Sequence, residues 1–161
     1  MHGIGIRVYS NSTVYYTIIE ENTDGNLVYK SIDRLYVPSA LERPERLNFI
    51  RNTLLDIISE YKVTKAAIRI AEFGGTIDKN AIERLYLEGV IQEAFASSTV
   101  ENFDAAQIAR LCAVAGIERT DFKKLAKAEI DFEHFPEDLN WGNYSLEERE
   151  SVLAAYTALK L

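Results

Sequence analysis

Two glutamates three residues apart, Glu147 and Glu150, lie within and just after Ser145-Leu-Glu-Glu148, a capping box that opens a helix near the end of the chain. At that spacing both carboxylates lie on one helical face, where they could ligate a divalent cation or complement the positive end of the helix. Glu72 and Asp104 are the further acids that could complete such a site. Gly74-Gly75-Thr76 stands before a helical segment and could cradle phosphate on backbone N–H groups. It lacks the lysine and spacing of a P-loop, so it reads more simply as a strand-to-helix turn. His2 and His134 are far apart and no second cysteine accompanies them, which argues against zinc; no metal is assigned. No Gly-x-Ser-x-Gly is present to support a serine hydrolase. Cys112, the single cysteine, sits in the apolar run Ile108–Ala115 and reads as a buried thiol. Phe132, Phe135, Trp141 and Tyr144 could stack on bases if exposed, but such a run more often packs a long loop onto a core.

The elements that must position these residues follow from periodicity. Gly3–Tyr9 and Thr13–Glu20 are dense in β-branched and aromatic residues, with Tyr15 and Tyr16 on opposite faces. Asn22-Thr-Asp-Gly-Asn26 supplies a turn, and Leu27–Val37 makes the third strand of an antiparallel meander. Pro44 opens a helix whose apolar residues, Leu47 to Tyr61, recur at helical spacing. Val63–Ala71 then reads as an inner strand, Ile77–Phe95 as a helix, Ser98–Glu101 as a short strand and Asp104–Ala115 as another helix. Thr120 is placed to cap a short helix over Asp121–Ala128. Ile130–Tyr144, punctuated by Pro136 and Gly142, reads as an ordered loop, and the final helix runs to Leu161. A meander followed by crossovers predicts an α/β fold: a mixed five-stranded sheet, three strands antiparallel and then two parallel, with helices on both faces.

The chain has 161 residues, 47% of them hydrophobic and 27% charged, values that suit one globular domain spanning 1–161. The start, Met1-His-Gly-Ile-Gly-Ile6, lacks a basic, long-apolar leader, and no apolar run would cross a bilayer. The expected location is therefore the cytoplasm, with no membrane partner. A net charge of −7 argues against broad non-specific nucleic-acid binding, although 18 Lys and Arg could still form a local basic face.

The order and several segments resemble the RuvC-like Holliday-junction resolvase branch of the ribonuclease H fold. Ile4-Gly-Ile-Arg7 stands where that family opens with a strand reading roughly I-G-I-D-P-G, and Ala67-Ile68-Arg69 where its fourth strand reads V-A-I-E. Glu88-Gly-Val-Ile-Gln-Glu-Ala94, Asp104–Arg110 and the acidic, alanine-rich Glu147–Ala155 are similar to the helices that follow. The resemblance implies a metal-dependent nuclease acting as a homodimer, with acids on the first strand, the fourth strand and the last helix holding the ions. Here two of those three places carry Arg7 and Arg69, while Glu147 and Glu150 keep the third acidic. At about 4 Å and an effective dielectric of about 20, unit charges interact by about 4 kcal/mol, and a divalent ion meets about twice that from each guanidinium. Arginine offers only donors, so Arg7 and Arg69 are expected to pair with Glu150 or Glu147 and stand where the metal charge would be.

The favoured expectation is a catalytically degenerate domain that binds or scaffolds, with Arg7 and Arg69 as anion-binding candidates and no cofactor. Its partner is open: a protein, an anionic ligand or a nucleic-acid structure. The alternative is a nuclease or resolvase using Mg²⁺ or Mn²⁺ on Glu72, Asp104, Glu147 and Glu150. An actin-like or sugar-kinase half ranks last, because that chemistry needs two such domains around a nucleotide.

Overall fold

A computed structural model describes all 161 residues. Five strands form one sheet in the order β3-β2-β1-β4-β5. The strands are β1 (His2–Tyr9), β2 (Thr13–Glu21), β3 (Leu27–Tyr36), β4 (Lys65–Arg69) and β5 (Asn102–Ala106). The first three pair antiparallel, and β4 and β5 continue parallel to β1, as the predicted α/β architecture requires. Helices α1 (Arg43–Glu60) and α2 (Lys79–Ala96) cover one face. The other carries α3 (Ile108–Ala115), α4 (Arg119–Ala126) and α5 (Leu146–Leu159). No helix is long and apolar enough to cross a membrane.

β1 is buried along nearly its whole length because helices press on both of its faces. Ile4, Ile6 and Val8 point into the α1/α2 core, while Gly3, Gly5 and Arg7 face α5. Gly5 has no room for a side chain: a Cβ there would lie 1.9 Å from the Ala155 nitrogen and 2.2 Å from the Ser151 carbonyl oxygen. Its sheet neighbours, Thr17 and Ala67, are also small, so the α5 backbone lies directly in the trough they form. The Thr17 and Ser151 hydroxyls share a hydrogen bond of 2.7 Å across that contact.

α5 is buried on all sides from Arg149 to Leu159, because α3, α4 and the segment 130–144 cover the face turned away from the sheet. Trp141 donates its indole N–H to the Leu125 carbonyl at 2.9 Å and packs with Phe132 and Phe135. Arg149 donates to the carbonyls of Trp141, Ala126 and Gly142 at 3.0, 2.7 and 3.3 Å. The aromatic run is therefore a cover for α5, with Phe132, Phe135 and Trp141 buried.

The structure corrects the predicted boundaries after β4. Ser98–Glu101 is a turn, and the edge strand is Asn102–Ala106, so Asp104 lies in β5 and not at the start of a helix. Ala105 and Ala106 favour helix intrinsically, but pairing with β4 decides their conformation, and α3 begins only at Ile108. α4 starts at Arg119, which puts Thr120 inside it, and α5 ends at Leu159.

Candidate functional site

The site begins with register. Arg7 on β1 pairs with Arg69 on β4, and the same cross-sheet row continues to Tyr15 and Arg34 on one side and Ala106 on the other. This row lies one step beyond the Thr17–Gly5–Ala67 trough, at the end of the sheet where the parallel strands finish. Glu150, in the second turn of α5, reaches it from above.

Arg7 donates from Nε to Glu150 Oε2 and from Nη1 to its neighbour's carbonyl at Val8. Arg69 places Nε 3.6 Å from the same Oε2 and donates from Nη1 to the Ile70 carbonyl. One carboxylate thus faces two guanidiniums. All three residues are enclosed, with residual exposures of 9% for Arg7, 7% for Arg69 and 5% for Glu150. Burial pulls the Arg69 guanidinium below its ordinary pKa, Glu150 opposes that shift, and Arg7 adds to it. The Arg69 Nε–H has no hydrogen-bond acceptor, so its attraction to Glu150 is charge across 3.6 Å.

A second tier surrounds the first. Glu72 accepts the Ile108 N–H at 3.0 Å, at the start of α3, and lies 3.7 Å from Arg69 Nη2. Glu88, buried in α2, takes the Ala71 N–H on both oxygens at 2.9 and 3.1 Å and the Arg84 Nε at 2.6 Å. Arg84 is lowered from its ordinary pKa by burial first and then by the nearby charge of Arg7. Three guanidiniums, of Arg7, Arg69 and Arg84, are therefore matched by three carboxylates, of Glu72, Glu88 and Glu150. The cluster is balanced without any further cation.

The structure brings together Arg7, Arg69, Glu150 and Glu72 from the sequence-derived candidates. It does not bring the four acids together. Asp104 pairs with Arg110 at 2.8 Å, and Glu147 is half-buried and makes no ion pair. No group of three or more His, Cys, Asp or Glu side chains converges in a metal-binding arrangement. A divalent ion needs carboxylate or water oxygens, and the row presents guanidinium N–H groups instead. The donor set does not fit such an ion. Arg84 and Glu88 were not singled out from sequence; their four-residue spacing signals an ion pair, but only the fold shows that it is buried against Ala71. Gly74 and Gly75 lie in an exposed connection before α2. The His2 imidazole faces Glu20, and the His134 ring stacks on Tyr156.

The chain has a RuvC-like ribonuclease H fold. Thermus thermophilus RuvC superposes with a TM-score of 0.71 at 10% identity, over 98% of this chain and 92% of that one. The same protein in complex with a Holliday junction substrate gives 0.69 at 11% identity with the same coverage. The yeast mitochondrial Holliday junction resolvase Ydc2 gives 0.63 at 11% identity, over 98% of this chain and 77% of that one. At these identities the likeness is one of fold. No protein-family model matches the chain, and no curated protein sequence does.

Proposed function

We propose that this chain is a resolvase-fold domain that binds or scaffolds and does not cut, with an arginine–glutamate lock in place of a metal centre. The observation that carries the reading is the pairing of Arg7 with Arg69 across β1 and β4, with Glu150 directed at both. Two-metal hydrolysis needs ions that clamp the attacking and leaving oxygens. Guanidiniums at those positions repel such ions and already occupy the carboxylate that would hold one.

A nucleic-acid structure is the class of partner that the fold neighbours favour, because one of them is a RuvC bound to a Holliday junction substrate. A homodimer suits the twofold symmetry of such a junction. The net charge of −7 restricts binding to a local surface and disfavours coating of a duplex.

The direct test is incubation of the purified protein with branched and single-stranded DNA in Mg²⁺ or Mn²⁺. Intact DNA is the expected result. Cleavage that Glu150→Ala abolishes would overturn the proposal and restore the reading of a nuclease with a rearranged acidic site built from Glu72, Asp104, Glu147 and Glu150.

A further inference from the structure

On the opposite face of the sheet from the arginine row, a cavity of about 590 Å³ opens between the first turns of α1 and α2 and the turn joining β1 to β2. Its charged lining is Arg43, Arg46 and Lys79 against Glu42 and Glu83, with the amides of Asn11 and Asn80 at its edge. That is three cations to two carboxylates, a net charge of +1 in a chain that carries −7. None of the lining side chains is aromatic or branched aliphatic.

The cations differ in what they are committed to. Glu83 is buried, accepts from Arg43 Nε at 3.1 Å, and lies 3.4 Å from Arg46 Nη2. The Arg43 contact holds its carboxyl below the ordinary carboxylate range, and Arg46 and Lys79 push in the same direction. Arg43 also lies 4.6 Å over the Tyr86 ring. Both arginines are therefore fixed in place, yet each guanidinium has five N–H donors and only part of that set faces Glu83. Lys79 makes no ion pair or hydrogen bond. Glu83 engages both arginines, and Lys79 is the cation left without a carboxylate partner.

The helix starts do not supply this potential. Glu42 and Glu45 form a capping box on α1, and Asp78 accepts the Ala81 N–H at 2.8 Å on α2. The excess charge belongs to side chains.

We propose that this cavity binds a phosphate group of the monoester type. A planar carboxylate is satisfied by one guanidinium fork, whereas a tetrahedral dianion takes donors from several directions, here the guanidinium N–H groups not engaged by Glu83 and the Lys79 ammonium. Arg43 and Arg46 approach from α1, and Lys79 and Asn80 from α2. Sites for apolar small molecules are lined mainly by hydrophobic groups, and this one has none, so only the phosphate end of a ligand enters. The phosphate comes either from a small phosphorylated molecule or from the 5′ end of an oligonucleotide.

The test is titration of the intact protein with inorganic phosphate at constant ionic strength, read by thermal midpoint and by calorimetry. Lys79→Glu removes the uncommitted cation at the first position of α2, where an acid is compatible with the helix dipole and the fold is kept. Lys127→Glu makes the same charge change at the exposed end of α4, away from the cavity. Saturable stabilisation of the wild type and of Lys127→Glu is expected, with affinity at least about tenfold weaker in Lys79→Glu. No saturable response up to about 20 mM phosphate, or an equal response in Lys79→Glu, would overturn the proposal. An oligonucleotide that binds only when 5′-phosphorylated identifies a nucleic-acid end as the source; binding confined to phosphate and mononucleotides identifies a small ligand. The nuclease assay on Glu150 reads a different face, so the two proposals stand or fall separately.

Discussion

α5 crosses two successive rows of the sheet and meets them in opposite ways. Over Thr17–Gly5–Ala67 its backbone touches the strand backbone, and nothing larger than a hydrogen fits on Gly5. One row further on, the space between helix and sheet holds two arginine side chains and a glutamate. The first row sets how close the helix lies. In the second, charged side chains lie between helix and sheet, and Glu72, Glu88 and Arg84 around them complete the charge balance. The difference teaches that fold and site chemistry are separable here: the trough fixes the architecture shared with the resolvases, while the adjoining row accepts side chains of the opposite charge from those the resemblance implies.

Four variants test that division. Gly5→Val drives side-chain atoms into the Ala155 and Ser151 backbone, which cannot yield without lifting α5. A loss of about 5 kcal/mol or more is expected in urea unfolding, or no folded protein at all. A mild effect would mean that the helix is not seated on the strand. Glu150→Ala leaves Arg7 and Arg69 buried without their shared carboxylate, and a loss of about 3 to 4 kcal/mol is expected from the denaturation midpoint. If it matched a surface substitution, the lock would be open to water. Thr17→Val deletes one hydroxyl of the trough's single polar contact, while Ser151 still donates to the Glu148 carbonyl at 2.7 Å. About 1 kcal/mol is the expected cost. The smallest effect belongs to the largest change. Arg7→Met, Arg69→Met and Glu150→Leu together remove both the ion pairs and the cost of burying their charges, so stability should stay within about 1 kcal/mol of the parent. A large loss in the triple variant would show that the row, and not only the trough, holds the helix in place.

Much of this arrangement is legible in the sequence because it follows from short-range pattern. The alternation of Gly3, Gly5 and Arg7 with Ile4, Ile6 and Val8 marks a strand with two different faces, and Ser145 with Glu148 marks the start of α5. That Arg7, Arg69 and Glu150 meet follows from the family resemblance and not from local pattern, and the ion pairs among them agree with it. What the pattern missed depends on distant partners. The sequence reads as helix from Asp104 onward, and only pairing with the free edge of β4 makes 102–106 a strand. Glu72 looked like a metal ligand by chemistry, but the open N–H of Ile108 claims it. The polar cavity joins residues from Asn11 to Glu83, and no local spacing connects them.

The contact between Arg7 and Glu150 spans 143 residues of chain, and that separation has a kinetic consequence. The helix that completes the middle of the sheet is joined to it through the longest loop in the molecule, so its docking incurs the largest loop-closure entropy of any contact. Meander contacts such as Glu21 with Leu27, close in sequence, are expected to form first. The folding transition state should therefore contain β1–β3 with α5 still undocked, giving high φ-values in the hairpins, low ones at Ser151 and Ala155, and the slow refolding typical of topologies dominated by distant contacts.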